Sequence, residues 1–345
     1  MTRIPGLSYP SWPVEDRRLF EAAFQEGDIF DAGPLAHLSP VTKREWMYLY
    51  GRWLGYAQAL GLDVLALAPG ERISEHVEDF LDNLLDYCAE TTVATAAHRL
   101  FMIIRALCPR EDWSWLKRIA KQIGVDAVSI PRPQVLSLDL YRVGFNAMDR
   151  AEEKAWEAGY LTKSAAILFR DGLMVATLVE APMRRSPFTL LEIGEHLQKQ
   201  GAHWVISVPA ELTKTDVAQE YELSERLSDK MDIFLERIRP AFPGAANHDR
   251  LWPESGGPIK DYVIRDRIMR LTENELGYPV TPHRFRNAVA TFVSIADPAN
   301  VRVSKDLLGH ASFATTERHY IDPAQSRMAG QQLQSVLATI AEAGR

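Results

Sequence analysis

From "SPVTKREWMYLYGRWLGYAQALG" onward, apolar side chains return at three- and four-residue steps, with Trp46, Leu49, Trp53 and Ala57 on one stripe. That period belongs to helices that bury one face. Ser74 precedes "EHVEDFLDNLLDYC", where Val77, Phe80, Leu81, Leu84 and Leu85 share a face. "TTVATAAHRLFMIIRAL" predicts a third helix ending at Pro109, and "REDWSWLKRIAKQIG" a fourth, stopped by Gly124. The expectation is a small all-α domain over 41–128. "SIPRPQ", with two prolines among polar neighbours, marks a linker over 129–136. A chain of 345 residues exceeds what one core usually holds, so two domains are expected. Residues 1–40 carry proline and acid, are weakly periodic, and read as an N-terminal extension.

Beyond the linker the pattern predicts helices over 137–158 and 161–181. "HWVISVPAELTKT" then reads as a strand and turn, with "AQEYELSERL" as its partner. Helices resume near 222–238, 257–276 and 282–296. The expected class is mainly α with a small β-sheet. The ending "AQSRMAGQQLQSVLATIAEAG" predicts one more amphipathic helix, striped by Leu333, Val336, Leu337 and Ile340.

Composition narrows the function. No run of about 18 apolar residues predicts a membrane span, and the first residues lack the apolar region of a signal peptide. Cys88 and Cys108, the only two cysteines, suit buried thiols in a reducing compartment. The cytoplasm is the expected location, with no membrane partner. A net charge of -7, taken alone, argues against a nucleic-acid partner, because phosphate binding needs Lys and Arg. Binding needs only one basic face, however, and Glu15, Asp16, Glu21, Glu26, Asp28 and Asp31 crowd the first forty residues.

The residues that could carry chemistry are individually ambiguous. In "TPHRFRNAVATFVSIAD", Thr281 can cap a helix and Pro282 suits its first turn. Phe285, Val289, Phe292 and Ala296 are the expected buried face. His283 and Arg286, three apart, then lie together off that face and near the helix start, where an anion is favoured. The same stretch is also a capped helix with a packed histidine and a solvated arginine. "APMRRSPF" sets Arg184 beside Arg185, a solvated turn or a bidentate fork for phosphate. Lys214 sits in the turn after "WVISVPAELT". "LLGHASFATTERHY" sets His310 at a helix end, with His319 and Tyr320 after it.

Taken in order, Arg, Lys, His-x-x-Arg, Leu-Leu-Gly-His and Tyr make a pattern. It resembles the tyrosine recombinase (phage integrase) family over nearly the whole chain. The four-helix part is similar to the family's core-binding, SAM-like domain. Residues 137–325 are similar to its mixed α/β catalytic domain, and 326–345 to a C-terminal helix that docks in trans. The resemblance implies catalytic roles for Arg184 (with Arg185 as rival), Lys214, His283, Arg286 and His310, and makes Tyr320 the nucleophile. Pro187 departs from the pattern, standing where an acidic residue often follows the first arginine.

The implied activity is site-specific cutting and rejoining of DNA through a 3′-phosphotyrosyl intermediate, with no cofactor and no metal. The implied partners are a duplex with inverted repeats and further copies of the chain, a dimer on one site and a tetramer in synapsis. Lys43, Arg44, Arg52, Arg99, Lys117, Arg118 and Lys121 are the expected phosphate contacts of the N-terminal domain. Three other readings remain open from the residues. They are a non-catalytic DNA-binding relative, a type IB topoisomerase, and a metal hydrolase on His283, His310 and His319.

Overall fold

The computed structural model describes residues 4–28, 30–126, 133–213 and 216–296, and side chains as far as Phe292. The chain divides into two compact units, Met1–Pro131 and Arg132–Arg345.

The first unit is all helical: α1 (Val14–Ala23), α2 (Pro40–Leu60), α3 (Leu62–Ala66), α4 (Pro69–Leu85), α5 (Glu90–Leu107) and α6 (Ser114–Asp126). Ser39 caps α2, its hydroxyl accepting from the Thr42 amide at 3.2 Å, with Pro40 in the first turn. α4 starts at Pro69, five residues before Ser74, and buries Arg72 and Ile73 in the turn that the sequence pattern omitted. α6 passes through Gly124 to Asp126. α5 packs against α1, α2, α4 and α6.

The first forty residues do more than extend from this unit. Trp12, Phe20, Phe24 and Leu35 belong to the same core as Tyr50, Trp53 and Phe80. Trp12 meets Phe20 edge-on at 5.2 Å. Gly51 and Gly55, one turn apart on α2, make room for the incoming chain. A Cβ on Gly55 would stand 2.2 Å from the Pro5 carbonyl oxygen, and one on Gly51 would stand 2.6 Å from that of Leu7. Cys88 and Cys108 are unpaired and half-buried.

The second unit opens with α7 (Ser137–Ala158) and α8 (Lys163–Glu180), which lie close enough at Gly144 and Gly172 for backbone to touch backbone. Then come α9 (Arg185–Leu190), the strands β1 (Leu197–Gln200), β2 (His203–Val208) and β3 (Gln219–Glu222), and α10 (Glu225–Ile233). A π turn over Phe234–Ile238 extends α10. β4 (Pro253–Glu254) and β5 (Gly257–Pro258) form a small hairpin, so the helix expected from 257 begins only at α11 (Asp261–Leu276). α12 (Pro282–Ala296) packs against α7 and α8. The main sheet is antiparallel in the order β1-β2-β3, with Val208 opposite Gln219 and Ile206 opposite Tyr221. Its buried face, including Leu197, Ile206, Val208 and Tyr221, joins the helical core. The architecture is mainly α with a small sheet. Among the described residues, no helix is long and apolar enough to cross a membrane.

Candidate active site

α8 is buried nearly throughout, and the chain leaves it through Ala181, Pro182 and Met183, all buried. Arg184 follows in extended conformation as the N-cap of α9. The two adjacent arginines then diverge. Arg185 turns to the start of α11, where its Nε donates to Asp261 Oδ1 at 2.7 Å and its Nη2 lies 2.7 Å from Oδ2. Thr189, one turn along α9, donates to the same carboxylate at 3.3 Å. Among the described residues, Arg184 takes no carboxylate or carbonyl partner, although its side chain is half-buried.

α12 brings the second arginine. Arg286 was expected off the buried face, yet it is 2% exposed and Phe285 beside it is fully buried. Its Nη1 donates to the Pro182 carbonyl, two residues before Arg184. Phe292, expected in the core, is 54% exposed. His283 is exposed at the first turn of α12. Tyr221, on the inward face of β3, feels the charge of both arginines. Burial pushes its phenol up to about 12, against the pull of Arg286 and Arg184. This phenol therefore stays protonated at neutral pH.

The β2–β3 connection is held on both sides of position 214. The Thr213 hydroxyl donates to the Ala210 carbonyl at 3.0 Å and accepts from the Val217 amide at 3.1 Å. Asp216 has φ of 51°, in the left-handed region that Asp tolerates in turns. Lys214 itself lies outside the described residues, as do His310, His319, Tyr320 and the stripe of Leu333, Val336, Leu337 and Ile340. Of the six expected catalytic residues the structure thus describes Arg184, His283 and Arg286, and Arg286 is bonded to the backbone two residues before Arg184. Tyr221 and Asp261 were not singled out by sequence, because a lone aromatic or acid carries no spacing signal.

One metal-capable cluster stands among the described residues: Glu192, Glu195 and His196. The His196 Nδ1 accepts from the Glu192 amide at 3.2 Å. Neutral His196 therefore carries its proton on Nε2 and has no lone pair left for an ion. Glu192 is also paired with Arg250 at 3.4 Å. The donor set does not fit a metal.

In the first unit, the expected phosphate contacts fall into two grooves on either side of α5. Arg52 and Arg99 line one with Tyr48, Thr91 and Thr95; Lys117, Arg118 and Lys121 line the other with His98. Arg99 pairs with Glu45 at 3.1 Å, and Arg52 donates to the Tyr87 hydroxyl at 2.7 Å. Lys43 lies over the Phe24 ring, and Arg44 is exposed.

Residues 158–327 match the phage integrase family. The chain is 28% identical to the tyrosine recombinase XerD of Chlamydia pneumoniae over 153 residues, 44% of this chain and 48% of that protein. It is 27% identical to XerC of Treponema denticola over 198 residues, 54% of this chain and 62% of that one. The chain spans less than two thirds of the length of either relative. Among solved structures, it is similar to the Tn1549 transposon integrase in complex with transposon right end DNA. The TM-score is 0.60 at 14% identity, covering 92% of this chain and 98% of that one. A XerH site-specific recombinase bound to palindromic difH substrate gives a TM-score of 0.53 at 14% identity, covering 95% of each chain. At such identity these likenesses establish a shared fold.

Proposed function

We propose that this chain, whose residues 158–327 belong to the phage integrase family, is a site-specific tyrosine recombinase that cuts and rejoins duplex DNA. The observation that carries the reading is Arg184. It is a half-buried guanidinium with no anionic partner among the described residues, two residues past the carbonyl that buried Arg286 holds. A cation left without a built-in anion favours one that arrives, and a phosphodiester supplies one.

The chemistry follows from charge. When the phosphorus becomes pentavalent, negative charge gathers on the non-bridging oxygens, and Arg184, Arg286 and His310 stabilise it. A tyrosine phenol has an unperturbed pKa near 10 and needs a base to attack at neutral pH. His283, exposed at the start of α12, takes the phenolic proton of Tyr320. The Tyr320 oxygen bonds to phosphorus, the bond from phosphorus to the 5′ oxygen breaks, and Lys214 gives that oxygen its proton. The phosphotyrosyl ester conserves the bond energy, and attack by another 5′ hydroxyl reverses the step. The residues of this pocket supply both proton transfers and the charge stabilisation, so the reaction consumes no cofactor.

The same reading makes 41–128 the core-binding domain, its basic grooves along α5 meeting phosphates, and 137–325 the catalytic domain. It makes 326–345 a helix donated to a neighbouring copy, with a dimer on one inverted-repeat site and a tetramer in synapsis.

Tyr320→Phe tests the reading. The substitution removes one oxygen and keeps the ring, so the variant is expected to bind a target duplex normally. With a suicide substrate nicked near the cleavage point, wild-type protein is expected to form a covalent adduct that maps to Tyr320, and the variant none. An adduct from the variant, or one mapped to another residue, overturns the nucleophile. Cleavage that leaves no adduct and is abolished by EDTA favours a metal hydrolase instead.

A further inference from the structure

We propose that Gln219 is a further catalytic residue, its side-chain amide donating a hydrogen bond to a non-bridging oxygen of the phosphodiester held by Arg184 and Arg286; this rests on the recombinase reading above. β3 alternates buried and exposed residues, and Gln219 and Tyr221 share its buried face. Two strand residues on one face stand roughly 7 Å apart, so Gln219 lies one side-chain place from Tyr221, whose phenol feels the charge of both arginines.

Gln219 is 9% exposed, and its amide nitrogen is buried with no hydrogen-bond partner among the described residues. Buried polar groups are almost always paired, because an unpaired donor has lost water and gained nothing. The inward sites around it follow the usual rule: its cross-strand partner is Val208, 1% exposed, and the next strand pair is Tyr221 with Ile206. An apolar side chain would satisfy this site in the free protein. A neutral amide adds a donor without adding charge to a site that already carries two arginines. It also needs to shed no hydration shell when a phosphate oxygen arrives, which is the condition under which a fixed donor contributes most to a charged transition state.

The proposal predicts opposite signs for stability and activity. Gln219→Met keeps the length of the side chain and removes the unpaired donor, so thermal stability is expected to stay level or rise. The rate of adduct formation on the suicide duplex at saturating DNA is expected to fall about 10- to 100-fold. DNA affinity should hold, because the amide acts chiefly on developing charge. Gln219→Glu, which sets a carboxylate against the phosphate, is expected to fall further. An unchanged rate in Gln219→Met overturns the proposal. So does a fall in rate with an equal fall in stability, which marks a structural amide. If wild-type protein forms no adduct, the recombinase reading itself fails and takes the proposal with it. A normal wild-type rate with an unaffected Met variant sinks the Gln219 assignment alone.

Discussion

Arg72 in the first unit is fully withdrawn from water and Arg184 in the second only half, and they are met in opposite ways. Arg72 is fully buried. Its Nη1 donates to Asp16 at 2.8 Å, its Nε to the Val64 carbonyl at 2.9 Å, and its Nη2 to the carbonyls of Leu65 and Leu67 at 3.0 and 2.6 Å. The Tyr50 hydroxyl completes the carboxylate at 2.8 Å. That network ties α1, α2 and the α3–α4 turn together and leaves nothing for a ligand. Arg170 in the second unit is closed in the same manner, by Asp171 at 2.7 Å and the Pro253 carbonyl at 2.8 Å. Burial pushes the Asp171 carboxyl up, against the pull of Arg170 and Arg267. Arg184 has no such shell among the described residues. A cation whose partners are built into the fold is closed to a ligand, whereas on the proposed reading Arg184 stays open to an anion that arrives later.

The comparison breaks most visibly at Arg184. Arg184→Ala is expected to lower the rate of adduct formation about a hundredfold to a thousandfold and to leave thermal stability unchanged or slightly raised, since a like-charge neighbour of Arg286 is gone. Arg185→Ala is expected to cost far less activity, because its guanidinium is spent on Asp261. If Arg185→Ala abolishes the adduct and Arg184→Ala does not, the two arginines have been assigned the wrong way round.

Arg72 is the converse case. Arg72→Met leaves Asp16 buried and unpaired, which costs about 3–5 kcal/mol, read as a shift in the urea midpoint of the first unit. Because Asp16 is left charged, Asp16→Leu added to Arg72→Met is expected to recover most of the loss. A double variant no more stable than the single one would mean that the carbonyl bonds, not the charge pair, carry the network.

How much of this was legible in the sequence follows from what a pattern can encode. α5, α7, α8 and α12 carry long apolar stripes, and their extents follow the sequence pattern closely. β1 was missed because "LQKQ" buries only Leu197 and pairs through backbone. α4 was begun late because Pro69 and Arg72 do not read as core, although one opens the helix and the other is neutralised inside it. Phe292 errs the other way, an aromatic side chain that no described core covers. Trp12, Phe20 and Phe24 lie between prolines and acids, so their shared core shows no period. At the site, motif order picked out Arg184 and Arg286, but burial of a charged side chain is invisible to hydropathy. What sets Arg185 apart from Arg184 is its pairing with Asp261, 76 residues away.

The smallest expected effect lies at His248, where a cation acts on a neutral partner instead of a carboxylate. Arg239 Nη2 donates to the His248 carbonyl at 2.6 Å and lies 3.4 Å from its Nδ1. Burial lowers the His248 pKa from its ordinary 6.5, and the Arg239 charge lowers it further. A base whose folded pKa is depressed binds its proton more readily when unfolded. Its contribution to stability is therefore present above pH 6.5 and lost as the pH falls from there through the folded value. The second unit is expected to lose stability modestly over that window, and His248→Gln, which cannot take up the proton, is expected to flatten the loss. Arg72→Met should leave this slope untouched, since Arg72 belongs to the first unit. An equal slope in wild type and His248→Gln would mean that other groups, carboxylates foremost, set the acid limit of the second unit.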